Sequence, residues 1–191
     1  MQAFAVSTGV VALAEIGDKT QLLALVLAAR FRKPVPIVLG ILAATLANHA
    51  LAGGLGTLVT GWLGGQALRW ILGLSFLAMA AWTLVPDEFD ASEAPLAGAG
   101  VFTTTLFAFF LAEMGDKTQV ATVVLAAKYE SFYAVVAGTT LGMMIANVPA
   151  VMLGDQAARR LPVRTVHMVA AAIFAMLGVA TLLGAGARFG V

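Results

Sequence analysis

The sequence predicts an all-α membrane protein: six transmembrane helices arranged as two inverted-topology three-helix repeats. Three observations carry that expectation. The composition is 61% hydrophobic and only 11% charged, with a mean hydropathy of +0.96, whereas a soluble domain has about a quarter of its residues charged. Crossing a hydrocarbon core of roughly 30 Å takes about 20 helical residues, and six apolar runs reach or approach that length. Offset by 98 residues, the chain also matches itself: Ala14 to Arg30 aligns with Ala112 to Lys128 at 11 identities in 17 positions, and Gly40 coincides with Gly138.

The first span, 3 to 29, has no basic residue before Lys19 and runs longer than the apolar core of a cleavable signal peptide, so it reads as mature protein. The second, 35 to 60, follows the basic stretch Arg30, Arg32 and Lys33, and the third, 67 to 85, stops at Pro86. An acidic linker then carries Asp87, Glu88, Asp90 and Glu93. The fourth span, 101 to 127, restates the first, the fifth covers 132 to 154, and the sixth covers 165 to 187. The expected organisation is a first repeat at 1 to 85, a linker at 86 to 100 and a second repeat at 101 to 191, leaving no stretch for a soluble domain.

Three spans per half force the second half to enter the membrane from the opposite side, which makes the duplication an inverted repeat. Loops on the side opposite the N-terminus carry Arg30, Arg32, Lys33, Arg159, Arg160 and Arg164, against Arg69, Lys128 and Arg188 on the other. Lys and Arg concentrate in cytoplasmic loops, so both termini are expected outside and the acidic linker in the cytoplasm. That linker reads as a solvated connection, with collection of cytoplasmic cations as the other role open to it.

The chemistry lies in the repeated motif. "LAEIGDKTQ" at 13 to 21 and "LAEMGDKTQ" at 111 to 119 place Glu15, Asp18, Lys19, Glu113, Asp116 and Lys117 inside apolar spans. A charge at the bilayer centre costs about 2.5 to 3.5 kcal/mol or more, so such residues face cavities and serve function. On an ideal helix Glu15, Asp18 and Lys19 share one face. Gly17 and Gly115 permit an unwound or closely packed backbone that offers carbonyl oxygens. If the two motifs meet at mid-membrane, four carboxylates converge, with Thr20, Thr118, Gln21 and Gln119 as further donors. An all-oxygen set suits Ca²⁺, Mn²⁺ or Mg²⁺ rather than Zn²⁺ or Cu⁺. Four carboxylates and two lysines sum to −2. One divalent cation neutralises that, or protons do, because like charges crowded out of water cannot all stay ionised. A site holding either metal or protons is the core of a proton-coupled exchanger. The competing account, ion pairs from Glu15 to Lys19 and from Glu113 to Lys117, leaves Asp18 and Asp116 without partners.

The doubled E-x-G-D-[KR]-[ST] motif, in the first span of each half, resembles the GDT family of calcium and manganese cation/proton exchangers, formerly an uncharacterised membrane protein family. The resemblance covers essentially the whole chain, acidic linker included. It implies a cation site formed by both motifs: Glu15, Gly17, Asp18, Lys19 and Thr20 with Glu113, Gly115, Asp116, Lys117 and Thr118. Eukaryotic members sit in the Golgi, whereas compact bacterial ones look like manganese exporters. This chain is compact, which fits a bacterial inner-membrane form.

Other polar residues are ranked below the motif. Asn48 and Asn147 sit in the second span of each half but out of register by one, and either lining the site or hydrogen bonding between helices fits them. Pro149 frees a carbonyl four residues back, that of Ile145, as a ligand in one half only. His49 reads as a neutral histidine packed between helices, with proton relay as its other role, and His167 reads as interfacial. Trp62, Trp70 and Trp82 read as belt residues. Met143 and Met144, adjacent and so on different faces, read as packing.

The expected function is proton-coupled divalent cation exchange by alternating access, exporting Mn²⁺ first and Ca²⁺ second. The metal and H⁺ are cargo and no prosthetic group is expected. The expected partners are the lipid bilayer and the cation; a net charge of +1 gives no reason for nucleic acid, and no obligate protein partner is evident. With no cysteine and with Ser7, Ser75, Ser92 and Ser131 lacking a spaced base, an enzyme is not expected. A passive cation channel or an exporter of a small organic solute is the alternative, because an inverted repeat does not specify the substrate.

Overall fold

The structure, a computed structural model, describes residues 1–85, 100–153 and 163–184. The acidic residues of the linker, together with Arg159, Arg160 and Arg188, lie outside the described residues. The described chain is helical, in order α1 (Gln2–Glu15), α2 (Lys19–Phe31), α3 (Pro34–Trp62), α4 (Gly65–Thr83), α5 (Val101–Glu113), α6 (Lys117–Tyr129), α7 (Phe132–Leu153) and α8 (Val163–Leu182). No strand occurs among the described residues. Three helices, α3, α7 and α8, are long and apolar enough to cross a membrane.

The first and fourth sequence spans are not single helices. Each is two, broken at the motif, so the placing of Glu15, Asp18 and Lys19 on one ideal helical face does not hold. The cause is local. Ile16 leaves the helix with ψ 115°, Gly17 takes φ +84°, and Asp18 is extended at the start of α2. Met114, Gly115 (φ +77°) and Asp116 repeat this between α5 and α6. A positive φ costs a side-chain-bearing residue energy that glycine avoids. Aspartate stands at the N-cap position of each following helix, and Asp116 also accepts the Thr118 N–H there, while Gln stands three residues later, the spacing of a capping box. The motif is therefore a stop, a turn and a start.

The duplication also shows in the other boundaries. The non-glycine residues with positive φ among the described residues are Arg32 and Glu130, 98 positions apart. Pro34 then opens α3, where its missing N–H is not needed.

Packing crosses between the halves. A Cβ at Gly40 of α3 would lie 2.9 Å from the Phe102 carbonyl oxygen and 2.7 Å from Thr105 Cβ of α5. A Cβ at Gly138 of α7 would lie 2.6 Å from the Phe4 carbonyl oxygen and 3.0 Å from Ser7 Cβ of α1. The two sets are the same contact 98 residues apart, and in each a glycine lets backbones approach where no hydrophobic force holds helices together in lipid. One apolar core joins Leu23, Leu27, Ile37, Ile41 and Phe109. A second joins Val10, Phe76, Leu125, Val135 and Phe174.

Helices α4 and α8 form a pair of their own. Gly73 accommodates Leu182, Gly178 accommodates Leu77, and the Phe76 and Phe174 rings, again 98 residues apart, stand 6.4 Å from centroid to centroid. This pair leans to one side: α8 lies on α1 and α4 on α6, whereas the repeat-equivalent pairings of α4 with α5 and α8 with α2 are at most marginal. Trp62, Trp70 and Trp82 are exposed near helix ends, as belt residues are.

Candidate cation site

Both breaks are flanked by buried carboxylates. Glu15 is the last residue of α1 and Glu113 the last of α5; Asp18 starts α2 and Asp116 starts α6. All four are buried, Glu15, Asp18 and Glu113 completely. One carboxylate oxygen from each of Glu15, Glu113 and Asp116 lies within 4.8 Å of the others, a spacing that can hold a metal ion. Asp18 stands outside that trio, bonded to Lys117.

The polar residues of the motif hold this geometry. Thr20 Oγ1 donates to Glu15 Oε2 at 2.7 Å, and Thr118 Oγ1 donates to Glu113 Oε2 at 3.1 Å. Gln21 Oε1 accepts the Gly17 N–H at 2.9 Å, and Gln119 Oε1 accepts the Gly115 N–H at 2.8 Å, so each glutamine ties down its own break. The other oxygen of each glutamate, Oε1, is buried without a protein hydrogen-bond partner. A buried carboxylate oxygen left open is costly unless a proton or cation meets it. The donor set fits a hard divalent cation.

The lysines cross over. Lys19 Nζ reaches Asp116 Oδ1 at 3.0 Å, and Lys117 Nζ pairs with Asp18 Oδ1. Both pairs join the two motifs, whereas the competing account placed its pairs within a motif, Glu15 with Lys19 and Glu113 with Lys117. The two pairs differ in exposure: the Lys19 side chain is 27% exposed, whereas Lys117 is fully buried.

The second spans close the site from either side. Gln119 Nε2 donates to Asn48 Oδ1 at 3.3 Å, and Asn48 Nδ2 donates to the Phe110 carbonyl at 3.0 Å. The residue 98 positions after Asn48 is Ala146, and Gln21 Nε2 donates to its carbonyl at 3.0 Å. The carbonyl that Gln21 engages is thus next to that of Ile145, the one Pro149 frees. Asn147 instead donates to the Met143 carbonyl at 3.1 Å and to Met143 Sδ at 2.9 Å, and its Oδ1 has no partner. His49 is fully buried, with neither ring nitrogen hydrogen bonded.

His167 overturns its interfacial reading. It is buried, and its Nε2–H donates to the Ile16 carbonyl at 2.6 Å, in the break itself. Its partner is main chain, so no residue type in the sequence marks the contact.

Known proteins share this arrangement of residues along the chain. The sequence profile described as "Divalent cation/proton antiporter GDT1" matches residues 3–91 and 101–188, both halves with their motifs. The chain belongs to the GDT1 family. A Vibrio cholerae protein named "Putative manganese exporter" is 50% identical over 182 residues, covering 95% of this chain and 90% of that protein. A GDT1-like protein of Synechocystis is 32% identical across 94% of this chain and 96% of its own length. GDT1-like protein 3 of Oryza sativa subsp. indica is 29% identical across 88% and 69%. No solved structure matches. As a GDT1 family member, the chain is a membrane transporter of divalent cations.

Proposed function

We propose that this GDT1 family protein exports Mn²⁺ from the cytoplasm in exchange for protons, with Ca²⁺ as the second cargo. Glu15, Glu113 and Asp116 are its cation ligands, and Asp18 completes the charge pattern. The observation that carries this reading is the buried carboxylate trio with an open oxygen on each glutamate. The name of the Vibrio cholerae relative favours manganese.

In this reading α1 with α2, and α5 with α6, each cross the bilayer as one broken span. With α3, α4, α7 and α8 they make six crossings in two inverted repeats, both termini outside. Each aspartate is matched by the opposite lysine, so the two glutamates carry the site's uncompensated charge. One divalent cation or two protons balance them. Occupancy by metal and by protons is then mutually exclusive, which is what exchange requires. Thr20 and Thr118 aim the glutamates, Gln21 and Gln119 fix the breaks, and Asn48 and Asn147 line the site. Inward proton flow drives release of the metal outside.

The test is Mn²⁺ uptake into proteoliposomes under an imposed pH gradient. The wild-type protein is expected to accumulate Mn²⁺ while moving protons the other way, and Glu15→Gln and Asp116→Asn to fall to background. Full coupled transport by either variant would remove that residue from the site. Metal flux with no proton movement would favour a passive channel, and indifference to Mn²⁺ an exporter of organic solutes.

A further inference from the structure

The two breaks share backbone geometry and side-chain bonding but not their cover. Over the first lies the start of α8: Val163 packs where a Cβ on Gly17 would stand, and His167 holds the Ile16 carbonyl. Over the second, nothing comparable lies among the described residues. A Cβ at Gly115 would meet no atom within 4 Å, and Met114 is 55% exposed. Shifting by 98 residues identifies the absent cover, since Val163 corresponds to Gly65 and His167 to Arg69, both at the start of α4. Both are exposed, and Arg69 stands near Gly184 at the far end of α8.

The asymmetry extends through the molecule in one direction. The α4–α8 pair leans on α1 and α6.

We infer that the α4–α8 pair seats alternately on the two breaks, and that His167 and Arg69 are the positioning residues that latch it. In the seating seen here His167 donates to the Ile16 carbonyl. In the other, Arg69 donates to the Met114 carbonyl, and α4 and α8 lie on α5 and α2. The internal contacts of the pair, Phe76 on Phe174 and Gly73 on Leu182, are carried along as a unit. Two packings of near-identical halves make the element bistable, and each latch biases it toward one side. Both latches grip main chain next to a ligand-bearing residue, so seating fixes Glu15 or Glu113 without touching the cation. This inference rests on the exchanger reading above and adds to it the moving part.

The chain contains no cysteine, so paired cysteines report each seating cleanly. Ile16→Cys with Val163→Cys marks the seating seen here, and Met114→Cys with Gly65→Cys marks the other. Both leave His167 and Arg69 in place. With a short bifunctional thiol reagent in proteoliposomes, the first pair is expected to cross-link at rest and the second during Mn²⁺/H⁺ turnover, each cross-link stopping transport. His167→Ala is expected to shift the ratio of the two cross-links toward the second by about fivefold, the equilibrium effect of one neutral hydrogen bond, and Arg69→Ala to shift it the opposite way. His167→Gln, whose amide also donates, is expected to restore the ratio. The inference is overturned if the second pair never cross-links while transport runs, if either cross-link leaves transport intact, or if His167→Gln behaves as His167→Ala. Because uncross-linked transport is measured alongside, failure of exchange itself is read separately.

Discussion

At the scale of single residues, the chain solves the problem of charge in lipid by reciprocity. Each aspartate is answered by a lysine from the opposite motif, and each glutamate keeps one oxygen on a threonine. The pairs differ in burial, and that sets a measurable difference. Removing one partner of a buried pair leaves an uncompensated charge and costs about 3–5 kcal/mol. Lys117→Met is therefore expected to lower stability by that order, measured by thermal unfolding in detergent. Lys19→Met is expected to cost less, because water reaches that end of its pair; equal losses would contradict the difference in burial. Much of this chemistry was legible beforehand. The six intramembrane charges, both threonines and both glutamines stood out as polar residues in apolar spans, and each makes a hydrogen bond or ion pair at the breaks. The crossing of the lysines was not legible, because it depends on a backbone break that redirects the aspartates. His167 was not legible either, since it binds a carbonyl, a group that every residue carries.

At the scale of elements, the helix breaks do most to turn a hydrophobic span into a site. Apolar periodicity runs through them undisturbed, which is why each broken span reads as one helix. The local signs were there nonetheless, in a glycine followed by aspartate with glutamine three residues on. The left-handed glycine is a structural requirement in both halves, so Gly115→Ala is expected to cost about 1–2 kcal/mol from backbone strain alone, its Cβ otherwise meeting open space. Gly17→Ala carries the same strain and in addition collides with Val163. It is expected to lose more stability than Gly115→Ala and to weaken the seating of α8. Denaturant or thermal midpoints of the two variants, side by side, check the ranking; equal shifts would mean that Val163 yields freely.

At the scale of the whole molecule, charge arithmetic constrains transport. If the crossed ion pairs persist through the cycle, one divalent cation outward and two protons inward leave the site's charge unchanged. Exchange is then expected to be electroneutral: an imposed membrane potential should leave the Mn²⁺ uptake rate unaltered at fixed pH gradient, measured with a potassium gradient and ionophore. A rate that follows the potential would require a different proton count or a pair that opens during the cycle. Both halves carry the same motif, yet the carboxylate trio takes one member from the first and two from the second, and the two breaks are unequally covered, so the molecule is symmetric in motif and asymmetric in packing.

The crossed pairs carry a consequence for ancestry. Each motif contains both an aspartate and a lysine, and each pair takes one of them from either half. Two identical half-chains, lying in opposite orientations, satisfy the same bonds without any further residue. If the halves lie inverted, as proposed above, the chain is the chemical equivalent of a fused homodimer of one half-length product inserted both ways up. The fusion adds what a homodimer lacks, the freedom for the two ends to diverge, and histidine at 167 opposite arginine at 69 is where that divergence touches the site.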